Sequence, residues 1–108
     1  MDEREERLAR NEMLFRSVNE NIEEAASSAR SVMPTFEFFC ECSSVGCVDR
    51  LLLSRADYER ARSNGDLFLV SPGHEDVSVE RVVERHPAFL IVEKQGTAGV
   101  IARSADPR

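Results

Sequence analysis

The sequence predicts an α+β fold: a long N-terminal amphipathic helix, then a small sheet with two short covering helices and a Cys-rich knuckle. Three observations lead there. Residues 2–30 carry apolar side chains at helical spacing, and no Gly or Pro interrupts them before Pro34. From residue 54 onward, helix-like and strand-like segments alternate. Three cysteines, Cys40, Cys42 and Cys47, stand within eight residues of one another. The chain divides into the helix and its connector (1–33), a compact α+β domain with the metal knuckle (34–102) and a flexible tail (103–108).

In the first helix, Leu8, Phe15, Val18, Ile22 and Ala25 form the apolar stripe, and Asn11 falls in the same stripe. An isolated helix is only marginally stable in water, so the stripe needs a covering surface. That surface is either the rest of this domain or a second copy of the helix, in which case Asn11 sets the register of the pair. SSARSVMPT (27–35) is a connector, and Pro34 ends any helical run before it. TFEFFCEC reads as a strand with Phe36, Phe38, Cys40 and Cys42 on one face and Glu37 and Glu41 on the other. Glu41 is expected to be a solvated charge. SSVG is a turn that swings Cys47 back toward the pair. VDRLLL (48–53) is a second strand.

Ser54 opens a helix through a capping-box variant with Asp57 at its third position. Tyr58 and Ala61 face inward, and Asn64–Gly65 closes the helix as a left-handed cap. LFLV (67–70) is a strand, and Pro72–Gly73 is a turn with His74 directly after it. VERVVERH (79–86) reads as a helix capped by Asp76 or Ser78, with Val79, Val82 and Val83 on its apolar side and Pro87 stopping it. AFLIVEK (88–94) is the best strand. The last segment adds a short strand at Val100–Ile101 before fraying. Strand order, and whether the helix-linked strands are parallel, stay open.

The chemistry concentrates in the cysteines. Thiolates are strong ligands for zinc and for iron–sulfur clusters, and a closed zinc site needs four ligands. The chain has two histidines, His74 and His86. His74 is preferred, because a residue directly after Pro-Gly has a restricted backbone that suits a preorganised site. His86 precedes Pro87 at an expected helix end, where a protonated ring interacting with the helix terminus explains it. The candidate metal set is therefore Cys40, Cys42, Cys47 and His74. Zinc so bound is saturated, the pattern of a structural site. The alternatives are three reduced thiols, two of them acting as small core hydrophobes, and a redox switch among the same cysteines.

Composition excludes other classes. In 108 residues, 20 acidic against 14 basic side chains leave a net charge of −6. This argues against nucleic acid, whose binding is driven by Lys and Arg. The one candidate basic stretch, RADYERAR (55–62) with Arg50, is diluted by Asp57 and Glu59. No apolar run approaches the about 20 residues of a membrane-spanning helix. The charged start MDEREERLAR lacks a signal-peptide core, and an odd cysteine count suits a reducing compartment, so the expected location is cytoplasmic. No catalytic constellation is visible: there is no G-x-S-x-G, no phosphate loop and no H-E-x-x-H. No small-molecule substrate is expected.

The segment from Phe36 to Lys94, with ARNEMLFRSVNENIEE before it, resembles a family of small actinobacterial proteins. The matching positions are Cys40, Cys42, Cys47, Tyr58, Pro72, Gly73, His74, Glu75 and Val92 to Lys94. There the C-x-C-x4-C segment and the P-G-H-E turn occur together, which implies that Cys40, Cys42, Cys47 and His74 belong to one site. The resemblance implies no activity. A looser similarity is to the CDGSH type of [2Fe–2S] proteins, which also begin with Cys-x-Cys. Here the third cysteine comes sooner, and Leu51 stands where their histidine would fall. The expectation is thus a non-enzymatic protein with one structural zinc, working through a protein partner or as a homodimer through the N-terminal helix. A thiol sensor or [2Fe–2S] protein is the second reading.

Overall fold

The apolar run near the C-terminus is the organising element of the fold. Leu90–Lys94 (β5) is the central strand of a three-stranded antiparallel sheet, flanked by Leu67–Val70 (β3) and Glu80–Arg85 (β4). A computed structural model describes residues 3–28, 34–44 and 46–108, with the side chains of the first helix described from Arg10 onward. The first helix, Glu3–Ser28 (α1), is followed by an antiparallel pair, Phe36–Phe39 (β1) and Arg50–Leu53 (β2). Two further helices, Arg55–Ala61 (α2) and Gly96–Ser104 (α3), complete the α+β fold. Every strand pair among the described residues is antiparallel, and β2 and β3, the strands with α2 between them, belong to different sheets. Most of the connector expected at 27–35 and Val45 of the SSVG turn lie outside the described residues.

The core gathers Phe38, Leu51, Leu53, Tyr58, Phe68 and Val92 around one centre, with the Phe38 and Tyr58 rings stacked at 4.4 Å. Ser54 caps α2 as expected, accepting the Asp57 N–H at 3.1 Å, and Tyr58 and Ala61 are its buried residues. The Asn64–Gly65 cap is not formed. The helix ends at Ala61, and Gly65 lacks a positive φ. Gly65 is needed for space instead, because a Cβ there would lie 2.8 Å from Asp106 Oδ2 and 3.2 Å from Arg103 Cα.

Two expected elements change type. VERVVERH is strand β4, not a helix. Its valines fit a period of three or four and also tolerate a pleated surface, and β-branched residues favour the latter. The decisive partner is β5, which pairs with it through a hairpin closed by the His86 N–H to the Phe89 carbonyl, with a bulge between Val82 and Glu84. Val100–Ile101 lies in α3, not in a strand. Gly99 and Ala102 are buried on that helix, and a Cβ at Gly99 would come within 2.8 Å of the Lys94 carbonyl. Arg108, in the expected tail, reaches Glu20 and Glu59.

The largest departure is the face that α1 buries. The expected stripe of Phe15, Val18 and Ile22 is only half-buried and Ala25 is exposed. Leu8 lies outside the described side chains. The buried stripe is Glu12, Arg16, Asn19, Glu23 and Ala26, repeating at steps of four and three. Hydrophobic periodicity cannot find a polar stripe. It is stable here because each of its polar side chains meets a partner in the domain, although Arg16 Nε and Nη1 and Glu23 Oε2 make no hydrogen bond. Glu12 pairs with Lys94, and Glu23 accepts from Arg55. Arg16 donates to the Gly65 and Leu67 carbonyls and lies over the Phe68 ring. Asn19 pairs with both the N–H and the carbonyl of Phe39, at 2.7 and 2.8 Å, as a neighbouring strand would. The helix thus docks on its own domain. Asn11 sits beside the cysteine loop, where its amide donates to the Cys42 carbonyl.

Candidate metal centre

The knuckle starts where β1 stops. The Cys40 N–H still pairs with the Asp49 carbonyl at 2.9 Å, continuing the β1–β2 ladder by one step. Next, Glu41 crosses to the other sheet. Its N–H donates to the Leu69 carbonyl at 2.7 Å, and its carboxylate accepts the Leu69 N–H and the Asn19 amide. Glu41 is therefore fully buried, not solvated as its place opposite the cysteines suggested. Burial pushes its carboxyl above the usual range, against the hydrogen bonds that oppose the shift. This two-way bridge welds the Cys-x-Cys segment to β3, and β3 leads directly into the Ser71–His74 turn.

That turn is type II in form. The His74 N–H returns to the Ser71 carbonyl at 2.9 Å, and Gly73 occupies the left-handed region at φ 93°. The Ser71 N–H donates to Cys40 Sγ at 3.1 Å. Gly46, also at positive φ, lets the chain return so that the Cys47 N–H reaches the Ser44 carbonyl.

The result brings all four predicted ligands together. The sulfurs of Cys40, Cys42 and Cys47 and a ring nitrogen of His74 lie within 4.8 Å of one another, and this set could hold a metal ion. His74 Nδ1 is 3.7 Å from Cys40 Sγ, 3.7 Å from Cys42 Sγ and 3.5 Å from Cys47 Sγ. Metal bonds of about 2.3 Å to sulfur and about 2.0 Å to nitrogen, arranged tetrahedrally, put donors about 3.5 Å apart. The donor types and the nitrogen-to-sulfur spacings therefore fit a single tetrahedral ion. Cys40 and Cys42 are buried, Cys47 and His74 half-buried, and no disulfide joins the thiols.

The three thiols oppose one another electrostatically. Burial and the neighbouring Cys42 raise the Cys40 thiol. Burial also raises Cys42, but hydrogen bonds from His74, the Ser44 backbone and the other two cysteines outweigh it and leave that thiol below its ordinary value. Cys47 is raised, chiefly by burial. Three sulfurs this close cannot all ionise cheaply by themselves, and a cation among them removes that conflict.

His86 is elsewhere. It sits at the β4–β5 hairpin, not at a helix end, with Nε2 2.6 Å from Glu84 Oε1 and its ring stacked on Phe89. The arginines of the 50–62 stretch are taken up in ion pairs: Arg50 with Glu37, Arg55 with Glu23, Arg60 with Asp57 and Glu84, Arg62 with Glu20 and Asp106. Among the described residues no helix is long and apolar enough to cross a membrane. Sequence reasoning missed Asp49, whose carboxylate lies 3.3 Å from His74 Nε2. Its position two residues after Cys47 carries no recognisable signal, because the pairing depends on how the residue before β2 faces the turn. Comparison with protein-family models, with curated proteins and with solved structures gave no match. The site therefore stands on its own geometry.

Proposed function

We propose that this chain is a small non-enzymatic zinc protein, in which a structural ion held by Cys40, Cys42, Cys47 and His74 supports an interaction or regulatory module. The observation that carries the reading is the near-equal separation of His74 Nδ1 from all three sulfurs. Three thiolates and one imidazole saturate a tetrahedral ion and leave no position for a reacting water, as in structural zinc sites. One nitrogen facing three sulfurs singles out no thiol as a nucleophile with its own base. The equal spacing also favours one ion over a two-iron cluster, in which the histidine shares its iron with a single cysteine sulfur. A bound ion would join β1, the knuckle and the turn after β3, adding to the backbone bonds and the Glu41 bridge that tie them. Its binding free energy would then contribute to folding.

The test is elemental analysis of the untagged protein, purified without chelator or added metal, together with its visible spectrum. About one zinc per chain and no colour is the expected result. A metal-free protein that is fully folded and unchanged by added zinc overturns the proposal. Visible absorbance from bound iron would replace zinc with an iron site on the same ligands.

A further inference from the structure

We propose that Asp49 is a positioning residue for the metal centre: its carboxylate receives the Nε2–H of His74 and so holds the ring with Nδ1 turned toward the three sulfurs. The inference rests on the metal reading above and adds a residue outside the ligand set.

The His74 ring has two different surroundings. Nδ1 faces Cys40, Cys42 and Cys47 at 3.5 to 3.7 Å, whereas Nε2 faces Asp49 Oδ2 at 3.3 Å. A neutral imidazole carries one proton, so one nitrogen donates and the other offers its lone pair. A ring that is to bind a cation through Nδ1 must keep its proton on Nε2, and a carboxylate beside Nε2 selects that tautomer. A hydrogen bond formed at that contact would also restrict rotation of the ring about the side chain.

Asp49 is itself held in place. Its carbonyl accepts the Cys40 N–H at 2.9 Å, one residue before β2 begins. One residue therefore secures the backbone of the first cysteine with its main chain and the ring of the histidine with its side chain. Among the described residues its carboxylate has no other charged partner, and Asp49 is half exposed. Replacing its side chain leaves the main-chain bond to Cys40 intact and uncovers no core.

The experiment is a zinc competition titration against a chromophoric chelator, on the full chain, for wild type, Asp49→Ala, His74→Cys and the double variant. Asp49→Ala is expected to bind zinc about 10- to 100-fold more weakly than wild type. In the His74→Cys background the same change is expected to cause no further loss, because no ring N–H remains to be held. A loss under about twofold in the single variant overturns the proposal. So does an equal loss in the His74→Cys background, which would mean that Asp49 acts by its charge and not through the ring. Should His74→Cys fail to fold, a long-range proton–nitrogen spectrum of the zinc-loaded wild type decides. A ring protonated on Nε2, with that proton exchanging faster in Asp49→Ala, supports the proposal, and a ring protonated on Nδ1 overturns it. Failure of the wild type to bind zinc at all is a different result. It removes the metal reading first and this inference with it.

Discussion

Replacing Asn19 with alanine tests whether α1 is held by its polar stripe. The Asn19 side chain is fully buried and makes three hydrogen bonds: to the Phe39 N–H, to the Phe39 carbonyl and to the Glu41 carboxylate. Alanine removes all three bonds, the one to Glu41 fully buried and the two to Phe39 part-buried. A buried group left unpaired costs about 1–3 kcal/mol, more for a charged acceptor. Glu41 keeps its bond from the Leu69 N–H, which limits its share of the loss. The expected destabilisation is about 3–5 kcal/mol. A domain of this size has about 5–15 kcal/mol in total, so the variant should lie near the edge of folding. The assay is urea unfolding at fixed free zinc, followed by circular dichroism. Ser17→Ala, exposed on the same helix, is the control and should change stability by no more than about 0.5 kcal/mol. A loss below about 1 kcal/mol for Asn19→Ala would refute the reasoning, because it would mean that the polar stripe is not what docks the helix.

Two further outcomes follow from the same geometry. Glu12 is buried beside Lys94 and Glu80, and burial lifts its carboxyl from its ordinary 4.5 to about 7 although Lys94 opposes the shift. Between those values the folded protein holds a proton that the unfolded chain has released, so the Glu12 contribution is most favourable at low pH and declines as pH rises through about 7. Glu12→Gln mimics the protonated acid and should gain on wild type by on the order of 2 kcal/mol between about pH 5 and about pH 8, measured by urea unfolding at saturating zinc. A difference independent of pH would count against the assignment. The second outcome concerns the two histidines: His86→Ala should retain the wild-type zinc content, because its ring contacts Glu84 and Phe89, whereas His74→Ala should lose zinc in the presence of a competing chelator. Equal zinc retention by both variants would remove His74 from the site.

Much of the candidate centre is visible in one dimension. Cys40, Cys42 and Cys47 are close in sequence, and a histidine after Pro-Gly has few conformations, so their chemical type and local geometry are legible from spacing. What joins the two pieces is not. Glu41 looks like an ordinary charge between two cysteines, yet its backbone and carboxylate both bond Leu69 and bring the knuckle to β3. Asp49 is equally silent in the sequence, because its pairing with His74 crosses from the residue before β2 to the turn after β3.

Composition, spacing and capping determined the α+β class, the presence of a long N-terminal helix, the start of α2, strands β1, β2, β3 and β5, and the four residues of the candidate metal set. Those features depend on local chemistry: helical length without breakers, a serine at a cap, β-branched and aromatic runs, thiols placed near one another. Only the tertiary structure decided that residues 80–85 are a strand, since the pleat of β4 is stabilised by hydrogen bonds to β5 that no local pattern contains. It also decided that 96–104 is a helix, where Gly99 passes against the Lys94 carbonyl. Above all it decided which face of α1 is inside. A polar side chain is costly to bury alone and acceptable when a partner waits, and the partners of Glu12, Arg16, Asn19 and Glu23 lie 20 or more residues away in the chain.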